Sequence, residues 1–244
     1  MKIPITDSDG MNRLLDALAD EIVNAHICHR LFCNLVSAIP KYEKDIDRSP
    51  VFWNYTLSSL RDTRLLRLCR IYDQHSQSLN LFNLLQTIKA NPHLFSEAEF
   101  RERRPDSPHV DSLAAYPRQP DEKQLHADLE YASAGNALVR KLMVWRNNIV
   151  AHRGAKVTLG RKDILDSNPI NKAELEELLN RALKIFNHYS HLFRASTWSV
   201  QMIGEEDYQY CLEMLHKGIE TSQAERKAEI ERLLAAGKGG RTTA

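Results

Sequence analysis

The chain has 244 residues, 43% of them hydrophobic, which is enough for one sizeable core and a small appendage. Its 33 Lys and Arg against 32 Asp and Glu leave a net charge of +1, so no global positive field recruits a polyanion and any nucleic-acid contact must come from local clusters. Four cysteines without CxxC or secreted-disulfide spacing, no apolar run approaching the roughly 20 residues that span a bilayer, and no apolar signal core in MKIPITDSDG set the expectation of a cytoplasmic chain with reduced thiols and no membrane partner.

Sparse glycine and segments rich in Leu, Ala, Glu and Arg at helical period predict an all-α protein. After a polar leader, a first helix is expected from about Met11 to Ile39, stopped by Pro40, with Leu14, Leu18, Ile22, Ala25, His29, Phe32 and Val36 along its stripe. His26, His29 and Cys33 share a face of it, either as metal ligands lacking an evident fourth partner or as core-edge residues. A second helix, from about Pro50 to Gln74, would bury Phe52, Tyr55, Leu60, Leu65, Leu66, Leu68, Cys69, Ile71 and Tyr72. Arg61, Arg64, Arg67 and Arg70 recur every three residues on it, and each step drifts by about −60°, so they wrap half the helix. Some of these arginines must approach the packed side. They are solvated or paired, with Asp62 and Asp73 as candidate acids, or Arg67 and Arg70 extend a phosphate-binding surface with Asp73 orienting an arginine or a histidine.

A short helix over Leu79–Ala90 ends at Asn91-Pro92. The connection over about 95–120 carries Pro105, Pro108, Pro117 and Pro120 with Arg101, Arg103, Arg104 and His109, and reads as a lid, an RNA-contacting loop or a solvated insertion. A third helix is expected from Asp121 to Arg153, with a break near Ala134-Gly135. A fourth runs from Asn171 to Arg194, Asn171 capping it with Glu174 three residues on. Ser196–Ile203 is a loop or a short strand. Residues from Glu205 to about Ala236 are helical, ahead of a disordered GKGGRTTA tail. The chain is thus divided into a helical domain over 1–200, with the 95–120 insertion, and a C-terminal helix and tail over 201–244.

The most informative stretch is Leu138–Gly154, LVRKLMVWRNNIVAHRG. On a regular helix Leu138, Val139, Leu142, Met143, Trp145, Ile149 and Val150 fall within an arc of about 160°. Arg146 lies near its middle, Arg153 close beside it, and His152 just past one edge. A guanidinium in an apolar stripe is costly to bury without a partner. The partner is an acid inside the protomer, water at a subunit interface, or a phosphate; His152, for its part, is a helix cap or a proton-transfer group.

Arg146-Asn147-x4-His152 resembles the Arg-polar-x4-His signature of HEPN domains. The wider chain, over about 15–215, resembles the abortive-infection AbiU type, through Phe52-Trp53-x6-Leu60, Arg67-Leu68-x-Arg70-Ile71-Tyr72-Asp73, Leu79-Asn80-Leu81-x-Asn83-Leu84-Leu85 and Asp207-Tyr208. The resemblance implies a HEPN-like helical bundle with a C-terminal helical extension. It also implies a metal-independent endoribonuclease that needs no cofactor, acts as a homodimer on RNA in phage defence, and is restrained by an antitoxin or regulatory protein. The competing expectation is a non-catalytic HEPN module that binds RNA or a partner protein as a dimeric scaffold. Arg146, Asn147 and His152 are the expected catalytic set, and Arg153, Arg70, Arg67 and Asp73 the expected substrate-binding set. The tyrosine that accepts nucleotide modification in some HEPN toxins, two positions after the histidine, is Gly154 here.

The chemistry fits these residue types. Histidine exchanges protons near neutral pH, and arginine stays charged and offers a donor fork to phosphate oxygens. On a regular helix Arg146 and His152 stand about 9 Å and about 120° apart, and one copy carries a single histidine where an acid and a base are both wanted. Two copies across a twofold axis supply both.

Overall fold

The segments with helical apolar spacing fold as helices, and no strand occurs among the described residues. The structure, a computed structural model, describes residues 2–150, 166–201, 203–204 and 206–239. In chain order the helices are α1 (Ser8–Ile46), α2 (Pro50–Ile71), α3 (Leu81–Ala90), α4 (Glu97–Glu102), α5 (Val110–Ala114), α6 (Glu122–Ala132), α7 (Ala137–Trp145), α8 (Lys172–Arg194) and α9 (Asp207–Gly239). A 3-10 turn at Pro92–Phe95 precedes α4, and a π-helical turn at Arg146–Val150 follows α7.

Pro40 does not stop α1 as the sequence leads one to expect. The helix continues to Ile46 and absorbs the proline in a kink, with non-helical backbone at Tyr42 (φ −116°, ψ 19°). Capping sets other ends. Asn80 accepts the amide of Asn83 at the start of α3, and Asn136 accepts those of Leu138 and Val139 at the start of α7. Asn171 and Glu174 form a reciprocal capping box on α8. The break expected near Ala134-Gly135 falls between α6 and α7.

By contact the chain forms two units, one of Met1–His29 with Leu60–Val200, the other of Arg30–Ser59 with Gln201–Ala244. The core of the first is built from Met11, Leu15, Leu18 and Ile22 of α1, Leu68, Cys69 and Ile71 of α2, Leu84, Leu85 and Ile88 of α3, Val139 and Leu142 of α7, and the α8 stripe. The eight α8 residues expected inside, Leu175, Leu178, Leu179, Ala182, Ile185, Phe186, Tyr189 and Phe193, are all buried. Each removes apolar surface from water at about 25 cal/mol per Å².

In the second unit Leu35, Tyr42, Asp45 and Leu212 are buried. His216 Nδ1 of α9 lies 2.8 Å from Asp45 Oδ2. Phe52, Tyr55 and Leu66, expected inside, are exposed: the first two precede the part of α2 that reaches the first unit's core, and Leu66 lies on the side of that part turned away from it. Among the described residues α1 is long and apolar enough to cross a membrane by length and composition. The sequence criterion of an unbroken apolar run passed over it because Asn24, His26, His29 and Arg30 interrupt the stretch. Its N-terminal half is spent on the core.

The 95–120 connection is tied down by its arginines. Arg103 donates to the carbonyls of Leu94 and Phe193 (2.9 and 2.8 Å), Arg104 to that of Arg194, and Arg118 to those of His191 (2.8 Å) and Leu113. Three guanidiniums thus take carbonyls at the C-terminal end of α8, where the helix dipole favours cations. Arg103 and Arg118 also lie over the Phe193 and Phe100 rings, at 4.0 and 4.2 Å. Arg101 pairs with Glu97 and Asp111. Residues 196–201 carry no regular structure, and Trp198 is held by paired hydrogen bonds to Asn187.

Candidate functional site

Two chain segments of the first unit meet at Arg146. The helix α7 buries Val139 and Leu142 and ends at Trp145, whose indole N–H donates to the Asn168 carbonyl at 2.7 Å. The next five residues form the π turn. Such turns recur at functional sites because one added residue re-aims the side chains. Constant rotation therefore ends at Trp145, and the turn from Arg146 to Val150 departs from regular-helix geometry. Arg146 stands at the junction with 34% of its side chain exposed. Its guanidinium lies 3.3 Å from Asp73 Oδ1 and donates to Asn147 Oδ1 at 3.3 Å.

Asp73 follows the end of α2 and is held on several sides. Its Oδ1 also accepts the amides of Gln74 and His75 at 2.8 and 3.3 Å, and its Oδ2 accepts the Ser78 hydroxyl at 3.0 Å. The loop that supplies these donors is fixed from beneath by two buried asparagines. Asn83 Nδ2 donates to the carbonyls of His75 and Ser78 at 2.9 and 2.8 Å, and Asn80 Nδ2 to the same two at 3.3 and 3.1 Å. Gln74 completes the frame, donating to the Tyr72 and Ala132 carbonyls.

Beside Asp73, Glu21 of α1 bridges two arginines of α2. Its Oε2 lies 3.2 Å from Arg67 and its Oε1 3.3 Å from Arg70. A groove of about 410 Å³ opens here, lined by Ala17, Leu18, Glu21, Arg70, Asp73, Ser78 and Leu79. Cys69 lies within the field of Arg146 and Asp73, but burial dominates and pushes its thiol up to about 12, so it stays protonated.

Of the arginines wrapping α2, Arg61 pairs with Asp62, as one alternative had it. Arg64 meets His29 at 3.2 Å. Arg67 and Arg70 share Glu21, while Asp73 serves Arg146 instead. His152 and Arg153 lie outside the described residues. The sequence reading missed Glu21, Ser78, Asn80 and Asn83 as parts of the site, although Asn80 and Asn83 sit within a run it had singled out. Glu21 carried no local signal beyond its place beside Leu18 and Ile22 on a helix face.

The His26, His29 and Cys33 face is not gathered around one point. His26 Nε2 is 3.0 Å from the Leu179 carbonyl, His29 Nε2 is 3.4 Å from Glu176, and Cys33 belongs to the other unit. Burial lowers the His29 pKa, outweighing the opposite pull of Glu176. Among the described residues no group of three or more His, Cys, Asp or Glu side chains is arranged to hold a metal.

The family model for AbiU2, a HEPN family, matches residues 8–214. The chain belongs to the AbiU2 family. It is by that membership a HEPN-type abortive-infection module, and the match takes in α1 through the start of α9. The AbiU2 chain has no match among curated proteins or among solved structures. Of the HEPN signature, Arg146 and Asn147 lie at the start of the π turn, in mutual contact, with Arg146 against Asp73.

Proposed function

We propose that this AbiU2 chain is a metal-independent endoribonuclease, acting as a cytoplasmic toxin that halts its host during phage infection. The observation that carries the reading is Arg146, oriented by Asp73 and Asn147 yet one-third exposed at the first position of the family signature. Arg146 makes one contact with each partner and retains donors for a phosphate.

In the proposed reaction the RNA 2′-hydroxyl attacks the adjacent phosphorus. The 2′-O–P bond forms and the P–O5′ bond breaks, leaving a 2′,3′-cyclic phosphate and a 5′-hydroxyl. A histidine takes the 2′-hydroxyl proton and a second delivers one to the departing 5′-oxygen. Each chain has one His152, so a homodimer provides the pair across a shared groove. Arg146 stabilises charge on the phosphorane-like transition state and Asn147 holds the ribose or the histidine. An antitoxin or regulatory protein keeps the activity in check.

The test is incubation of the pure chain with total RNA in EDTA, followed by end-group analysis. Cyclic phosphate ends that vanish in His152→Ala and Arg146→Ala, with folding and dimer retained, are the expected result. Cleavage unchanged in both variants removes the catalytic assignment. One observation favours the other reading, a non-catalytic dimeric module binding RNA or a partner: Glu21 and Asp73 offset two of the three positive charges of Arg67, Arg70 and Arg146. Growth arrest on expression, dependent on His152, separates the two.

A further inference from the structure

We infer that the far half of α9 is a dimer surface, on which two copies of this chain overlap their α9 helices antiparallel and each covers the other's apolar stripe. The inference rests on the homodimer of the ribonuclease reading and names the surface that makes it. The second unit is short of a core. Among its described hydrophobic side chains it buries only Leu35, Tyr42 and Leu212, yet it carries most of the chain's exposed large ones.

The course of α9 explains why. Leu212 lines a cleft with Ser37, Lys41 and Tyr42 of α1, and one turn further on His216 Nδ1 meets Asp45 Oδ2 at 2.8 Å. The two helices advance together, so α9 runs parallel to α1. Helix α1 stops at Ile46, one residue after Asp45, while α9 continues to Gly239. Past His216 it therefore runs on for about 34 Å beyond its support. Every residue from Glu220 to Ala236 is exposed. The overhang nonetheless keeps the apolar face of its root. At about 100° per residue Ile230, Leu233 and Leu234 share an arc of about 100° with Leu212, Leu215 and Ile219, the side turned to α1. A helix of this length with no packed face is marginal in water, and its aliphatic cluster calls for a cover.

A second copy suits that cover. Between Glu220 and Gly239 four glutamates balance four Lys and Arg, so the overhang selects no strongly charged partner and does not repel itself. Twofold symmetry also covers a second surface. Val51 and Phe52, just past the turn that follows Ile46, are exposed at the end from which α9 projects. Antiparallel copies that set this tip of one beside Leu233 of the other place the axis midway between His216 and Arg232, near Ala224. Each tip then receives the other's stripe, and the contact closes without a free end. The polar interruption of the stripe, Gln223 and Arg226, falls beside the axis, with Glu225 of the second copy in reach of Arg226.

The test is sedimentation equilibrium on the full chain. The wild type is expected to dimerise, and Leu233→Glu with Leu234→Glu to weaken the dimer at least about tenfold. Both side chains are exposed in the protomer, so thermal unfolding should confirm an intact fold. In a Cys211→Ser background, Ala224→Cys should form a disulfide-linked dimer on mild oxidation. Ile230→Cys, about 18 Å from its own copy along the helix, should not. A dimer indifferent to the double substitution, or linkage through Ile230→Cys in preference to Ala224→Cys, overturns the surface. A monomeric wild type also overturns it and gives the overhang to a different protein. RNA cleavage by a chain whose dimer ignores the double substitution removes this surface and keeps the ribonuclease reading. A dimer lost in the double variant of a chain that cleaves no RNA keeps the surface and defeats that reading instead.

Discussion

The first unit holds two clusters of three arginines, and they are used in opposite ways. Arg103, Arg104 and Arg118 face backbone carbonyls at the end of α8, with Phe193 and Phe100 beneath two of them, and Arg118 is 4% exposed. Burial outweighs the other influences on Arg103 and Arg118 and lowers both their pKa values. Arg67, Arg70 and Arg146 face carboxylates on an open groove, and Arg70 keeps 55% of its side chain exposed. A carbonyl partner in a covered place makes an arginine a cap. A carboxylate partner at an open place orients an arginine and leaves donors for something else. The difference lies in the partners and the exposure, since both clusters look alike as sequence.

The largest effect should come from exchanging the loss between the clusters. Arg146→Ala is expected to lower RNA cleavage by at least about 100-fold and to cost under about 1 kcal/mol of stability. Arg118→Ala should do the reverse, costing about 2–4 kcal/mol through unmet carbonyls and a lost ring contact while the folded fraction cleaves normally. Denaturant unfolding and cleavage measured on both variants break the comparison if the two profiles coincide.

Next comes the floor beneath Asp73. Asn83→Asp keeps size but removes the amide donors to the His75 and Ser78 carbonyls. It should cost about 1–3 kcal/mol and lower cleavage as well, because the loop that aims Arg146 loosens. Loss of stability with wild-type turnover would uncouple that loop from the site.

A smaller effect is expected from His29, whose Nδ1 accepts from Arg64, the member of the α2 series that meets an imidazole. Its folded pKa is lowered from 6.5, so the unfolded chain binds the proton more readily. Stability is then full above pH 6.5 and falls as the pH drops through the folded value. His29→Gln should flatten that acid limb in pH-dependent thermal unfolding. The smallest effect is chemical. Cys69, beside Arg146 and with its thiol pushed up to about 12, should resist alkylation at pH 8 while the exposed Cys211 reacts, read by mass spectrometry.

Much of the helical plan was legible because it is written in local signals. The Asn171–Glu174 box, the break after Ala132 and the apolar stripe of α8 each depend on residues within a few positions of one another. Pro40 misled because a proline fixes a defect without fixing whether the helix ends or bends there. The ties of the 95–120 connection were not legible because its arginines find partners about 70–90 residues away, at the end of α8. The same applies to the site. Asp73 and Arg146 could be named from motif runs, whereas Glu21 meets Arg67 across a separation of 46 residues that no spacing rule reports.

The π turn at Arg146–Val150 has a consequence for any change of chain length there. A turn with one residue too many for its regular ladder can be restored by removing one, and the side chains after the deletion within that turn would then swing by about 100°. Counting from the arginine is thus measuring with an unevenly ruled stick: a single deletion between Asn147 and Val150 should leave a regular turn and re-aim the side chains it carries, whereas the same deletion within a regular turn mainly disturbs packing.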